Sequence, residues 1–196
     1  GRRDAFVAAA RNAFFSHGYA GTSMSAISAQ VGGSKTTLWT YFPSKQELFA
    51  AVLDDLVERY GRALDVTLDG DGDIRDELRH FARALLETLH SQPIVDMHRL
   101  TIGEARRFPE LGRMMFERGQ GPGKERLGAF MIDAMARGKL RKGDATVAAR
   151  HFAGLIQSGS PQMHLLGLTG IPVEAELETE IEHVLDTFLR AWGPDQ

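Results

Sequence analysis

A chain of 196 residues, 43% apolar and 25% charged, is long enough for one or two domains with a hydrophobic core. It has no cysteine, which excludes disulfides, thiolate metal sites and cysteine nucleophiles, and no run of the roughly 20 apolar residues that a membrane span needs. The net charge of −3 divides unevenly: residues 1–45 carry Arg2, Arg3, Arg11, Lys35 and Lys45 against Asp4, while the remainder holds 18 basic and 25 acidic groups. A basic head on an acidic body orients itself towards a phosphate backbone and resists non-specific adhesion elsewhere. No secretory signal is visible, so the expected location is the cytoplasm.

The spacing of Phe6, Ala9, Ala10, Ala13 and Phe14 predicts a first helix over residues 4–17, closed by Gly18, with Tyr19 packing back on it. Gly1-Arg2-Arg3 is then either an N-terminal arm near phosphate or the minor groove, or a processing remnant. Ser23 is placed to cap a second, two-turn helix whose buried face is Met24, Ile27, Ser28 and Val31. Gly32-Gly33 allows the chain to reverse.

A third helix is predicted from Ser34, with Leu38 and Phe42 on one face at i and i+4, and Lys35, Thr36, Thr37, Trp39 and Tyr41 mostly on others. This polar flank is small, aromatic and basic, as a major-groove reader requires. Threonine methyls can pack on thymine methyls, hydroxyls can bond base edges or phosphates, and rings can lie along the sugar-phosphate wall. Pro43 ends the helix. Ser44-Lys45-Gln46-Glu47 reads as a capping box, and Lys45 at that helix start is a candidate phosphate clamp.

A glycine turn between two short helices is common to many helical hairpins. The whole string is more specific. Ser34, Lys35, Thr37-Leu38-Trp39, Tyr41-Phe42 and Ser44-Lys45-Gln46-Glu47-Leu48-Phe49 resemble the helix-turn-helix of the TetR family of transcriptional regulators. The resemblance implies DNA contacts from Lys35, Thr36, Thr37, Trp39 and Tyr41, with Lys45 and Ser25 on the backbone. Two positions depart from the pattern. Trp39 replaces a usual tyrosine, which should alter the preferred operator, and Gly33 replaces a small apolar residue, which should loosen the turn.

Beyond the head, Leu48, Phe49, Val52, Leu53, Leu56, Val57, Tyr60 and Leu64 predict a long helix from Lys45 to about Leu68, broken by Asp69-Gly70-Asp71-Gly72-Asp73. Those aspartates lack a complete calcium-ligand set and read as a linker in which Asp73 caps the next helix. Leu78, Phe81, Leu85 and Leu89 mark that helix, and Pro93 interrupts. Helices at 94–108 and 110–118 follow, then a glycine-rich joint at 119–123 and a stripe of Leu127, Phe130, Met131, Ala134 and Met135. The joint is no phosphate loop: Arg118 and Glu125 stand where glycine and a hydroxyl are needed. Glu104-Ala105-Arg106-Arg107-Phe108-Pro109-Glu110-Leu111 and Arg137-Gly138-Lys139-Leu140-Arg141 resemble the AefR-like branch of the same family.

Helices at about 147–168 and 174–192 end the chain. Leu177, Ile181, Val184, Leu185, Phe188, Leu189 and Trp192 form a continuous apolar face that needs a cover, from the chain itself or, as the preferred reading, from a second copy. The family resemblance implies a homodimer through these two segments. Met97, Met131, Met135, Met163, Phe130 and Phe152 either line an apolar pocket or pack the core, with His98 and His164 as possible polar contacts. No His-Glu-x-x-His, nucleophile elbow or carboxylate pair suggests an enzyme, and no cofactor or metal is implied.

The resulting expectation is an all-α protein of about nine to ten helices. Residues 1–47 form a helix-turn-helix DNA-binding domain, and 48–196 an effector-binding and dimerisation domain. Its partners are a double-stranded DNA operator, a second copy and a small apolar or amphipathic effector. A helical small-molecule scavenger whose head has lost DNA function, through Gly33, is the competing reading.

Overall fold

In a computed structural model the described residues, 1–61, 65 and 71–194, form helices and turns with no strand among them. They make α1 (Arg2–His17), α2 (Met24–Val31), α3 (Lys35–Tyr41), α4 (Lys45–Tyr60), α5 (Ile74–His90), α6 (Gln92–Glu104), α7 (Pro109–Met115), α8 (Gly121–Ala136), α9 (Ala145–Gln157), α10 (Ser160–Leu165) and α11 (Glu174–Trp192), with one π-helical turn at Phe116–Gln120. None is long and apolar enough to cross a membrane.

The all-α expectation holds, with four local corrections. Arg2 and Arg3 lie in the first turn of α1 and form no separate arm. The glycine-rich joint is helical: Pro122 sits in the first turn of α8, where a missing amide hydrogen leaves no bond unmade. The segment expected at 94–108 stops at Glu104. The segment expected at 147–168 is two helices: α9 ends at Gln157 and α10 starts at Ser160, whose amide donates to the Glu180 carboxylate at 2.8 Å. The continuation of α4 past Tyr60, including Leu64, lies outside the described residues. Asp73 caps α5, accepting from the amides of Arg75 and Asp76.

The chain divides into two compact units that do not follow chain order. The first combines Gly1–Arg59 with Asp96–Gln120; the second combines Tyr60–Val95 with Gly121–Gln196. The first unit thus holds more than the residues before 48, because α4 and the 96–120 segment pack with the head.

In the second unit α5, α8, α9 and α11 enclose one core, in which Phe152 meets Phe188 edge-on at 4.9 Å and Phe81 at 6.1 Å. This corrects the preferred reading of α11. Ile181, Val184, Leu185, Phe188 and Trp192 are buried against the chain's own helices, so that face needs no second copy. On the flank of α5, Arg75, Arg79 and Arg83 stand one turn apart and pair with Glu174, Glu178, Glu182 and Asp186, spaced likewise on α11. Arg79 and Arg75 together hold the Glu182 carboxyl below its ordinary pKa.

At the C-terminal end of α5 a polar cluster is buried. Nδ1 of His90 lies 2.8 Å from Nδ1 of His164, and Nε2 of His90 lies 2.8 Å from the Ser160 hydroxyl. Two protonated Nδ1 atoms cannot face each other at that distance, so at least one ring stays neutral. Burial, and then the neighbouring His164, lower the His90 pKa, while Glu180 opposes them. A depressed histidine pKa means that the unfolded chain takes up the proton first as pH falls below about 6.5. The contribution of this cluster is therefore intact above about 6.5 and is lost as pH falls through the folded pKa. Thermal unfolding followed between about pH 7.5 and 5.5 should show Tm falling with pH, and His90→Asn should flatten that slope; equal slopes for both proteins would contradict this account.

Candidate nucleic-acid interface

The reading element is built from local signals. Ser23 Oγ accepts from the Ala26 amide at 3.1 Å and starts α2. Gly32 ends α2 with φ 76° and ψ 25°, a left-handed conformation that glycine adopts without a Cβ clash. The turn is then closed twice, by the Gly33 amide on the Ser28 carbonyl at 3.2 Å and by the Ser28 hydroxyl on the Gly33 carbonyl at 2.9 Å. A Cβ on Gly33 would stand 2.9 Å from Nη2 of Arg2 and 3.4 Å from Cζ of Phe6. The space a larger turn residue would use is filled by the Arg2 guanidinium, a partner that the sequence did not reveal.

Ser34 caps α3 by accepting from the Thr37 amide at 3.2 Å, and its hydroxyl lies 3.0 Å from that of Thr37. Leu38 is 0% exposed and Phe42 is buried, with the Arg3 guanidinium 5.1 Å above the Phe42 ring. The opposite flank is open. Lys35, Thr36 and Thr40 are exposed, Thr37 is half-buried, and the large rings of Trp39 and Tyr41 are 46% and 44% exposed. Ser25 is exposed on α2. Thr40, whose hydroxyl donates to the Thr36 carbonyl at 2.8 Å, belongs to this flank although the sequence reading omitted it.

Lys45 is placed differently from a free phosphate clamp. Its ammonium donates to the carbonyls of Tyr19 at 2.7 Å and Thr22 at 3.0 Å, and lies 4.3 Å above the Tyr19 ring. Burial lowers its pKa; Glu104 raises it and Arg107 lowers it further. Of its three N–H donors two are thereby taken inside the head. The Tyr19 amide in turn donates to Glu104 Oε2 at 3.0 Å, and the Tyr19 ring packs on Phe14, Phe49 and Phe108.

The residues singled out for an effector do not form one cluster. Phe130, Met131, Met135 and Phe152 are buried in the second unit, where Met163 is 41% exposed on α10 and His164 is bonded to His90. In the first unit Met97 is buried with the Thr101 hydroxyl 3.7 Å from its sulfur, and His98 is half-buried.

Residues 6–52 match the model for bacterial regulatory proteins of the tetR family, and residues 76–194 match that for the AefR-like transcriptional repressor C-terminal domain. The transcriptional repressor ComR of Escherichia coli (strain K12) is 38% identical over 58 residues, 30% of this chain and 28% of ComR. The regulator RutR of the same strain is 39% identical over 57 residues, 29% of this chain and 27% of RutR. The chain thus spans under a third of the length of these curated relatives. Among solved structures, the flavonoid-responsive regulator FrrA superposes with TM-score 0.87 at 36% identity, covering 100% of this chain and 98% of that one. A TetR-family transcriptional regulator from Mesorhizobium loti MAFF303099 superposes with TM-score 0.83 at 27% identity, covering 98% and 96%.

The geometry separates the two lysines of the head. Lys45→Ala leaves the Thr22 carbonyl without its donor and the Tyr19 carbonyl with the Thr22 amide alone, and should lower unfolding free energy by about 1–3 kcal/mol, whereas exposed Lys35→Ala should change it by less than about 0.5 kcal/mol. Urea denaturation of both variants is the check, and equal stabilities would show that Lys45 holds nothing in place.

Proposed function

The chain belongs to the tetR family of bacterial regulatory proteins, with an AefR-like C-terminal domain, and from that premise we propose that it is a homodimeric repressor released from a near-palindromic operator by a small amphipathic effector. Members of this family regulate transcription and are not enzymes. The carrying observation is the uncovered polar and aromatic flank of α3, backed by a Leu38 anchor that leaves the helix no freedom to turn it inward. Thr36, Thr37, Trp39 and Tyr41 read the major groove in this account, and Lys35 beside them pairs with phosphate. Ser25 and the remaining donor of Lys45 touch the backbone. The module that does so is residues 1–47, and its place of work is the cytoplasm. The Arg2 guanidinium beside Gly33 supports this reading over the scavenger alternative.

The dimer reading, through about 147–168 and 174–192, is supported by the outer side of α11. There Leu155, Ser158, Gly159, Ala175, Thr179 and Thr187 border an open groove. Leu166, Leu168, Ile171 and Val173 are each more than 60% exposed on the connection before α11. An apolar strip beside this groove, which Glu176, Glu180 and His183 also line, suits a second copy, which would set two reading heads about 34–36 Å apart, one helical turn of DNA. The effector class follows from the whole-length likeness to a flavonoid-responsive protein: a flat, largely apolar molecule with polar rim groups. It acts by binding one head spacing better than the other. Its contacts are proposed within one unit, either Phe130, Met131, Phe152 and Met163 of the second or Met97 and His98 of the first.

A duplex selected from random DNA by the protein, then used in mobility-shift titrations at fixed salt, tests the reading. Thr37→Ala should change the preferred sequence, Lys35→Ala should weaken all duplexes alike, and a flavonoid panel should contain a compound that releases the selected duplex. Binding that depends steeply on salt but prefers no sequence would sink the repressor reading, and indifference to the whole panel would sink the effector class.

A further inference from the structure

The string Glu104-Ala105-Arg106-Arg107-Phe108-Pro109-Glu110-Leu111 has no part in reading DNA, yet the first unit places it against the base of the head. Glu104, the last residue of α6, accepts from the Tyr19 amide at 3.0 Å. Phe108 meets the Tyr19 ring edge-on at 5.0 Å, Glu110 accepts from the Gln46 side chain at 3.2 Å, and Leu111 is buried. The Tyr19 backbone is thus held at both of its polar groups, its N–H by Glu104 and its C=O by Lys45 and the Thr22 amide, and Lys45 also grips the Thr22 carbonyl one residue before the Ser23 cap of α2. Any side chain at Gly18 would meet Glu104 Oε1 at 2.9 Å, so the carboxylate is seated closely on the α1–α2 turn, and φ at Gly18 is 75°.

We propose that Glu104 is a positioning residue for DNA reading: through the Tyr19 backbone, held at both its N–H and its C=O, it fixes the orientation of the helix-turn-helix against the end of α6. The inference rests on the operator-binding reading above and adds a residue that touches no DNA. Glu104 acts through one backbone amide and not through phosphate. Its loss therefore leaves the number of phosphate contacts unchanged and loosens only the angle at which the two heads are presented. A seven-residue α3 anchored by Leu38 keeps its own shape when this happens, because none of its caps involves Glu104.

The test uses the full chain and duplexes built from the selected site, with the two half-sites kept or moved apart and together by one and two base pairs. Glu104→Ala should bind the original spacing about tenfold more weakly, the worth of one charge-assisted hydrogen bond, with an unchanged salt slope. It should also distinguish the altered spacings less sharply than the unaltered protein does. Glu104→Gln, whose side-chain oxygen can still accept from Tyr19, should restore the spacing preference. A Glu104→Ala protein with the original spacing profile would overturn the proposal, as would a uniform loss at all spacings that Gln does not repair. Hydrogen exchange on the unaltered protein decides the matter even where the alanine variant does not fold. The Tyr19 amide should be protected in the free protein and further slowed by the duplex, and an unprotected Tyr19 amide overturns the latch. If the unaltered protein selects no duplex at all, it is the operator reading that fails, and the exchange result still judges the latch.

Discussion

A seven-residue helix has no independent stability in water, since its nucleation cost exceeds what so few hydrogen bonds return. The persistence of α3 therefore depends on the burial of Leu38 and Phe42, which pins one side of it to the head and leaves the other side facing outward. The caps at Ser23 and Ser34 and the left-handed Gly32 then set where α2 stops and α3 starts. The open flank has its composition because the anchor fixes its direction: residues that cannot turn inward are free to be selected for what lies outside.

This division explains what could be read from the chain. Capping serines, the glycine reversal and the i, i+4 pair act over three to five residues, so α2, the turn and α3 were legible as a string. Lys45 was not. Its partners, the carbonyls of Tyr19 and Thr22, lie 26 and 23 residues away, and a lysine at a helix start looks the same whether it faces phosphate or its own chain. Arg2 filling the space at Gly33 is invisible for the same reason. The α11 face shows a different limit. Periodicity revealed that one side of the helix must be covered, but a stripe carries no record of what covers it, and α5, α8 and α9 of the same chain do so. Long-range ion pairing was likewise hidden: Arg75, Arg79 and Arg83 look like solvated charge until Glu178 and Glu182 are seen opposite them.

The glycine-rich stretch at 119–123 shows propensity yielding to context. Glycine and proline normally punctuate a chain. Here Pro122 falls in the first turn of α8, where proline is tolerated, and Gly119 lies in the π-helical turn before it. At Gly159 the opposite holds. The break there falls at a glycine, beside which the Glu180 carboxylate takes up the space of a side chain and accepts from the next amide. The same carboxylate faces the buried His90–His164 pair through Ser160, so one acidic residue of α11 both bonds the start of α10 and tunes the charge of the cluster.

An effector changes DNA affinity only by as much as it distinguishes two conformations. The arrangement of the two units restricts where that distinction can be carried along the chain. The first unit takes in the head, most of α4 and residues 96–120, so the backbone passes between units at 59–60, at 95–96 and at 120–121. The second of these passages lies inside α6, whose first residues belong to one unit and whose last, Glu104, bonds the α1–α2 turn in the other. The 13 residues of α6 thus begin in one unit and end in the other. The α1–α2 turn is in this way held by a carboxylate 85 residues further along the chain, so the seating of the head depends on where α6 ends as well as on the caps of α2 and α3.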